Sequence, residues 1–406
     1  MANHPFIALK EKIFFKLYLS QTISLLGDAF TWVGIALLAF QFGGEHSAVI
    51  LSTALTLRVI AFILFGPYAG VLADRIDRKK ILYITHFVRM AIVACLPFVT
   101  AAWQIYLLIF FLNIFNAFFT PAYKASIPQS IKNKENYSSG IALSNATNQL
   151  LGVLGPGLAG GIAAWLGARE IFFVDAASFI IAAVFILTLP SLLGENNAEN
   201  NLPGTKIWPD IFKGTRLLFA NKAVRFALLI ELVAAIAGAQ ILVNTVGYIK
   251  GKLHLTDRHY GYVMAAFGVG ATVAAFTSGN YDKSKNRMAS LLVGGALVCV
   301  AIAFGSYVAF IPLLALWLIA GFAQTLAETP TQILIAEQIP ADEHGKVYGA
   351  HFAWSHLWWA IGYPIAGFTG TYFQNAAFLI GAIVSAFLLL LITWRFYPGK
   401  RQNSLT

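Results

Sequence analysis

Three carboxylates stand well inside long apolar runs: Asp28 in about 17–40, Glu231 in about 223–248 and Glu328 in about 311–336. A charge surrounded by apolar side chains is costly unless it is paired, hydrogen-bonded or neutralised by a proton. The chemistry on offer is reversible protonation, which makes Asp28, Glu231 and Glu328 candidates for proton coupling. At about 1.5 Å of rise per residue, Asp28 lies about 12 residues into its run and Glu231 about 8 into its own. Asp28 reads as an isolated acid at mid-depth. The competing reading is a structural hydrogen bond, or a standing ion pair with Arg58 or Arg89, the two cations that also lie inside apolar runs. Asp175, about 4 residues into its run, reads as structural.

A second set of residues suits recognition of a small molecule. The stretch GKVYGAHFAWSHLWWAIGYP, starting at Gly345, carries His351 and His356 five residues apart, about 140° around a helix, so they do not share a face. Trp354 and Trp358 do share one. Trp358 and Trp359 fall about 18–20 Å beyond Lys346, too deep for an interfacial belt. They either line a cavity or pack against a neighbouring helix. With Asn113, Asn116, Gln240 and Asn244, the residues His351, Trp354, His356 and Trp358 are the substrate-cavity candidates. Each histidine also reads as a packing residue, a proton site or a metal ligand. No Walker A, HExxH or Cys-x-x-Cys pattern occurs, so no enzyme and no cofactor is expected. Cys95 and Cys299 sit in separate apolar runs and suggest no disulfide.

These residues need elements to hold them. Of 406 residues 58% are hydrophobic and 11% charged, and the mean hydropathy of +0.70 excludes a soluble globular chain. A spanning helix takes roughly 20 apolar residues. Runs at about 17–40, 47–72, 81–101, 105–121, 139–166 and 171–189, then 223–248, 261–277, 288–304, 311–336, 347–372 and 376–394, predict twelve of them. The polar stretch 190–222, which contains ENNAENN, reads as a linker between an N-terminal half, 1–189, and a C-terminal half, 223–406. Within it, 207–218 (IWPDIFKGTRLL) reads as an amphipathic segment on the membrane surface. The N-terminal stretch shows no cleavable signal pattern and reads as a retained leader. The net charge of +10 is scattered over short loops, so it points to membrane orientation and not to nucleic acid. With the N-terminus inside, 22 Lys and Arg fall on the inner side and 4 on the outer, and Arg58 and Arg89 complete the 28. Both termini are therefore expected in the cytoplasm.

Between the second and third runs the chain reads Gly70-x-Leu72-x-Asp74-Arg75-x-Asp77-Arg78-Lys79-Lys80, with its cations expected to anchor the loop on the inner leaflet. A weaker copy begins at Asp282-Lys283. Thr120-Pro121 recurs as Thr329-Pro330, Glu135 as Glu343 and Pro156 as Pro364, all at offsets of 208 or 209, which points to two equivalent halves. The loop resembles the signature loop of the major facilitator superfamily, and the resemblance covers essentially the whole chain. Asp77, together with SQTISLLGD at 20–28, is most similar to the efflux branch that includes macrolide exporters and enterobactin-type siderophore exporters. The run Gly152-x-x-Gly155-Pro156-x-x-Ala159-Gly160-Gly161 resembles the antiporter motif of superfamily exporters, with Ala159 replacing one of the usual glycines. The fourth span departs from many proton-coupled members by carrying Asn113 and Asn116 and no arginine.

The resemblance implies an all-α polytopic fold of twelve helices in two six-helix pseudo-repeats, alternating access, and a cavity surrounded by the first, fourth, seventh and tenth spans. Gly70, Asp74, Arg75, Arg78, Gly155, Pro156, Asp282 and Lys283 are then the conformational motif residues, and Asp74 is expected to dock on the N-terminus of the eleventh span. The expected protein is a monomeric inner-membrane secondary transporter that exports a drug-like amphipathic compound or a siderophore in exchange for protons. Its partners are the small molecule, protons and lipid. Two alternatives stay open: a divalent transition-metal (nickel-type) exporter using His351 and His356, and a polytopic membrane enzyme or sensor.

Overall fold

The computed structural model describes residues 5–131, 133, 136–191, 207–281, 287–340 and 343–398. Glu135, Asp282, Lys283, residues 192–206 of the linker and both termini lie outside the described residues, as do the side-chain surroundings of Gly70, Asp74, Arg75 and Pro156. Among the described residues the regular structure is helical. The α-helices are α1 (Lys12–Gly43), α2 (Ser47–Arg75), α3 (Arg78–Cys95), α4 (Ala102–Ser130), α5 (Tyr137–Leu166), α6 (Ile171–Leu187), α7 (Ile207–Ala220), α8 (Lys222–Gly247), α9 (Asp257–Tyr281), α10 (Arg287–Ala303), α11 (Phe310–Gln338), α12 (His344–Tyr372) and α13 (Ala377–Phe396). Seven helical stretches, including Lys12–Gly66, Lys222–Lys252 and Phe310–Gln338, are long and apolar enough to cross a membrane, and α6 and α10 are apolar but shorter.

The apolar runs become helices because in lipid every backbone donor and acceptor must be satisfied within the segment. Pro121 was expected near the end of the fourth span, yet α4 continues through Pro121 and Pro128 to Ser130. A proline costs a membrane helix one backbone bond without ending it, since neighbouring groups re-satisfy the ladder.

Two compact units form, one from 1–38 and 60–205, the other from 39–59 and 206–406. In the first, α3 packs between α4 and α6. Its entry turn is fastened by Asp77, whose side chain accepts from the Lys79 amide at 3.0 Å and from Ser191 Oγ at 2.8 Å. Arg78 is buried: its Nε donates to the Ala73 carbonyl and its Nη1 to that of Ala125. Lys79 Nζ donates to the Leu189 carbonyl. The expectation that these cations anchor the loop on lipid is corrected for Arg78 and Lys79. The Ala73 and Leu189 carbonyls lie at or just past the C-terminal ends of α2 and α6, where carbonyls lack a partner within the helix, and Arg78 and Lys79 supply one.

In the second unit α8 is apolar on every side and is buried among α10, α11, α12 and α13. Trp317 of α11, fully buried, donates to Thr245 Oγ1 of α8 at 3.0 Å and meets Phe378 of α13 edge-on at 5.0 Å. Helices α9 and α11 touch through Gly270 and Gly321. A Cβ on either would lie 1.8 Å from a backbone carbonyl oxygen of the other helix, so only glycine permits this approach.

Candidate functional site

The first unit gathers its ionisable groups on α1, α3 and α6. Arg89 Nη2 donates to both oxygens of Asp28, at 3.0 and 3.1 Å. Its guanidinium lies over the Phe179 ring at 4.1 Å and the Phe119 ring at 5.2 Å, which leaves Arg89 1% exposed while Asp28 remains 24% exposed. Asp28 is therefore not the isolated acid expected from its place in the sequence. An unpaired carboxylate at that depth would pay its full desolvation cost, and α3 supplies the cation. Asp175 joins them: it accepts from Thr31 Oγ1 at 2.5 Å and Ser178 Oγ at 3.0 Å, and it lies within electrostatic reach of Asp28 and Arg89. Gly27 allows this meeting, since a Cβ there would fall 2.2 Å from Asp175 Oδ1. His86, about one turn before Arg89 on α3, packs on Phe119 at 4.7 Å with its Nε2 3.4 Å from Ser20 Oγ. Sequence reading passed over His86 and assigned Asp175 to structure. The usable signal was that four charged residues of apolar runs, Asp28, Arg58, Arg89 and Asp175, fall in one half.

The second unit places its group on α8, α11 and α12. His351 Nε2 faces both oxygens of Glu231 at 3.0 and 3.1 Å, with both side chains largely buried. Glu328 accepts from Gln324 Nε2 at 2.6 Å and lies within electrostatic reach of Glu231 and His351. Thus Glu231, Glu328 and His351, predicted separately, are brought together.

His356 is not. Its Nδ1 is 2.8 Å from the Phe352 carbonyl of its own helix and its ring stacks on Phe352 at 3.9 Å. Among the described residues no three His, Cys, Asp or Glu are grouped so as to hold a metal ion.

Several cavity candidates prove to be packed side chains. Trp358 donates to the Leu228 carbonyl at 3.0 Å, and Trp354 donates to Thr215 Oγ1 of α7 at 3.2 Å and meets Phe219 at 5.0 Å. Of the two readings of these tryptophans, the contacts match packing against neighbouring helices. Gln240 and Asn244 bond each other at 2.7 Å, and they reach Thr369 Oγ1 at 3.0 Å and the Ala366 carbonyl at 3.2 Å, which fastens α8 to α12. Both are buried and bonded between α8 and α12, while Gln240 Nε2 and Asn244 Oδ1 find no hydrogen-bond partner among the described residues. Asn113 is buried and donates to the Ile109 carbonyl at 2.8 Å, while Asn116 is partly exposed and donates to Asn113 Oδ1 at 3.4 Å. Gly155 of the α5 motif sits against Ala29 of α1, where a Cβ would come within 2.6 Å.

Comparison with known proteins places this geometry in a family. The Major Facilitator Superfamily pattern matches residues 17–245 and 228–405. The transporter YfiS of Bacillus subtilis (strain 168), described as MFS-type, is 26% identical over 84% of this chain and 82% of its own. Macrolide efflux protein A of Streptococcus pyogenes is 27% identical over 44% of this chain and 45% of its own, and the enterobactin exporter EntS of Citrobacter koseri is 25% identical over 86% and 82%. Among solved structures, the nucleoside transporter NupG superposes with a TM-score of 0.74 at 16% identity, covering 95% of this chain and 99% of NupG. At that identity the match speaks for the fold alone. The chain belongs to the Major Facilitator Superfamily, and it is a multi-pass transporter of the cell (inner) membrane, not an enzyme.

Proposed function

We propose that this transporter exports an amphipathic small molecule, a drug-like compound or a siderophore, in exchange for protons. The relatives, a macrolide efflux protein and an enterobactin exporter, support both the direction and the choice between a drug-like compound and a siderophore as cargo. Twelve spans in two six-helix halves, 1–189 and 223–406 joined by 190–222, would give alternating access by rocking of the halves. Both termini are then cytoplasmic, as the distribution of Lys and Arg favours, and the working unit is a monomer.

The observation that carries the exchange reading is the Asp28–Arg89 pair. The cation is sealed between two aromatic faces and its carboxylate partner is a quarter exposed, so a proton can reach the acid while the guanidinium cannot leave the protein. Protonating Asp28 removes the charge that holds Arg89, and the two helices α1 and α3 are then free to adopt a second arrangement. The transport test is Asp28→Asn in inverted vesicles carrying a compound identified by resistance screening. Exchange is expected to fall by about 10²-fold or more, the usual range for loss of a positioned proton carrier. Exchange at the wild-type rate with unchanged proton dependence sinks the assignment.

A further inference from the structure

The groups around Glu231 carry a charge imbalance that the pair alone does not reveal. Glu231 lies on α8, Glu328 on α11 and His351 on α12. Arg58, from the stretch of α2 that belongs to the second unit, is within electrostatic reach of Tyr363 on α12, and Tyr363 is within reach of Glu328. Several other charges on elements packed against α12 are engaged elsewhere. Lys213 of α7 and Lys346 both pair with Glu343 at the start of α12, and Arg225 and Arg395 lie over the Phe396 ring. Glu231 and Glu328 lie within electrostatic reach of each other and of His351, so two ionised carboxylates here concentrate negative charge inside an apolar layer. Such a charge is expensive there, and a bound proton reduces it.

The hydrogen-bond geometry says where that proton goes. An ionised carboxylate only accepts, so the His351 Nε2 that faces both Glu231 oxygens at 3.0 and 3.1 Å must carry hydrogen. Nδ1 is then the nitrogen left to take up a second. Trp358 donates to the Leu228 carbonyl, about one turn of α8 before Glu231, and its ring lies 5.0 Å from that of Trp354.

We infer that His351 is a proton-binding residue in its own right, made so by Glu231, and that the second unit therefore holds a proton site separate from Asp28. Its ligand is the proton. The proton comes from water to Nδ1, and no other bond changes. Glu231 acts as the positioning and charge-balancing partner. The role in transport rests on the exchange reading above, whereas proton binding does not.

The test uses purified full-length protein in detergent, without cargo, stepped from about pH 8.5 to about 5.5 in weak buffer while proton uptake is counted. Wild type and Glu231→Asp are expected to take up about one proton per chain more than Glu231→Gln, although Glu231→Gln retains the imidazole. His351→Gln should show the same loss of about one proton, and Glu337→Gln, paired with Arg287 away from this cluster, should match wild type. Each folded variant is judged separately, so failure of one to fold leaves the other to decide. Uptake by Glu231→Gln or His351→Gln equal to that of wild type overturns the assignment. A chain that shows the loss but exports nothing against protons refutes the exchange reading and leaves this site standing.

Discussion

Arg89 is held by two aromatic faces and one carboxylate, so its charge has nowhere to go when Asp28 is lost. Removing one partner of a buried pair is more damaging than removing both, because it strands the other charge. Arg89→Leu is expected to destabilise the folded protein by about 3–5 kcal/mol, and the double variant Asp28→Asn/Arg89→Leu by clearly less. Unfolding in detergent measures both, and a double variant no more stable than the single would count against a buried pair. Trp317→Ala should cost about 3–5 kcal/mol, since the indole is fully buried, its loss leaves a cavity, and its hydrogen bond to Thr245 goes with it. The acids themselves were readable because a charge within a long apolar run is conspicuous. Their partners were not: Arg89 is 61 residues from Asp28 and His351 is 120 from Glu231, and only tertiary packing chooses between Arg58 and Arg89. Depth along a helix cannot distinguish a cavity wall from a helix contact, and the partner of Trp358, the Leu228 carbonyl, is 130 residues away.

Helix α7 shows how a linker segment becomes an element. Its amphipathic pattern was readable, and its docking on α12 was not, because that depends on Lys213 meeting Glu343 and Trp354 meeting Thr215. Lys213 and Lys346 beside Glu343 hold its carboxyl below the usual carboxylate range. The tie is therefore complete above that range and is lost as pH falls through the lowered value. Glu343→Gln with Thr215→Val should raise hydrogen exchange of the α7 amides by a few-fold, and unchanged exchange would show that α7 is held by other contacts. On the other side of the unit, Gly321→Leu must push α9 away from α11, because the space a Cβ needs is already filled by the Phe267 carbonyl. Loss of folded protein in size-exclusion chromatography is the expected outcome, and normal folding would contradict the close approach.

At the level of the molecule, the recurrence of Thr-Pro, Glu and Pro at offsets of 208 or 209 points to two equivalent halves. What that spacing does not convey is that residues 39–59 group with 206–406. The reason lies in contacts such as Gly367 against Ser52, where a Cβ would fall 2.0 Å from the hydroxyl, and the Gln374 side chain on the Glu45 carbonyl at 3.0 Å. If the Lys and Arg distribution sets orientation, a reporter active only outside the cytoplasm and fused after Thr406 should stay silent, and a signal from it would reverse the topology. The central claim is that cargo leaves in exchange for protons. A deletion strain screened against macrolides, other drugs and iron limitation identifies a responding compound, and proteoliposomes then measure its flux with and without a pH gradient. Flux that accelerates with the gradient and moves protons the opposite way is the expected result. Flux of that compound at the same rate after the gradient is collapsed would contradict it.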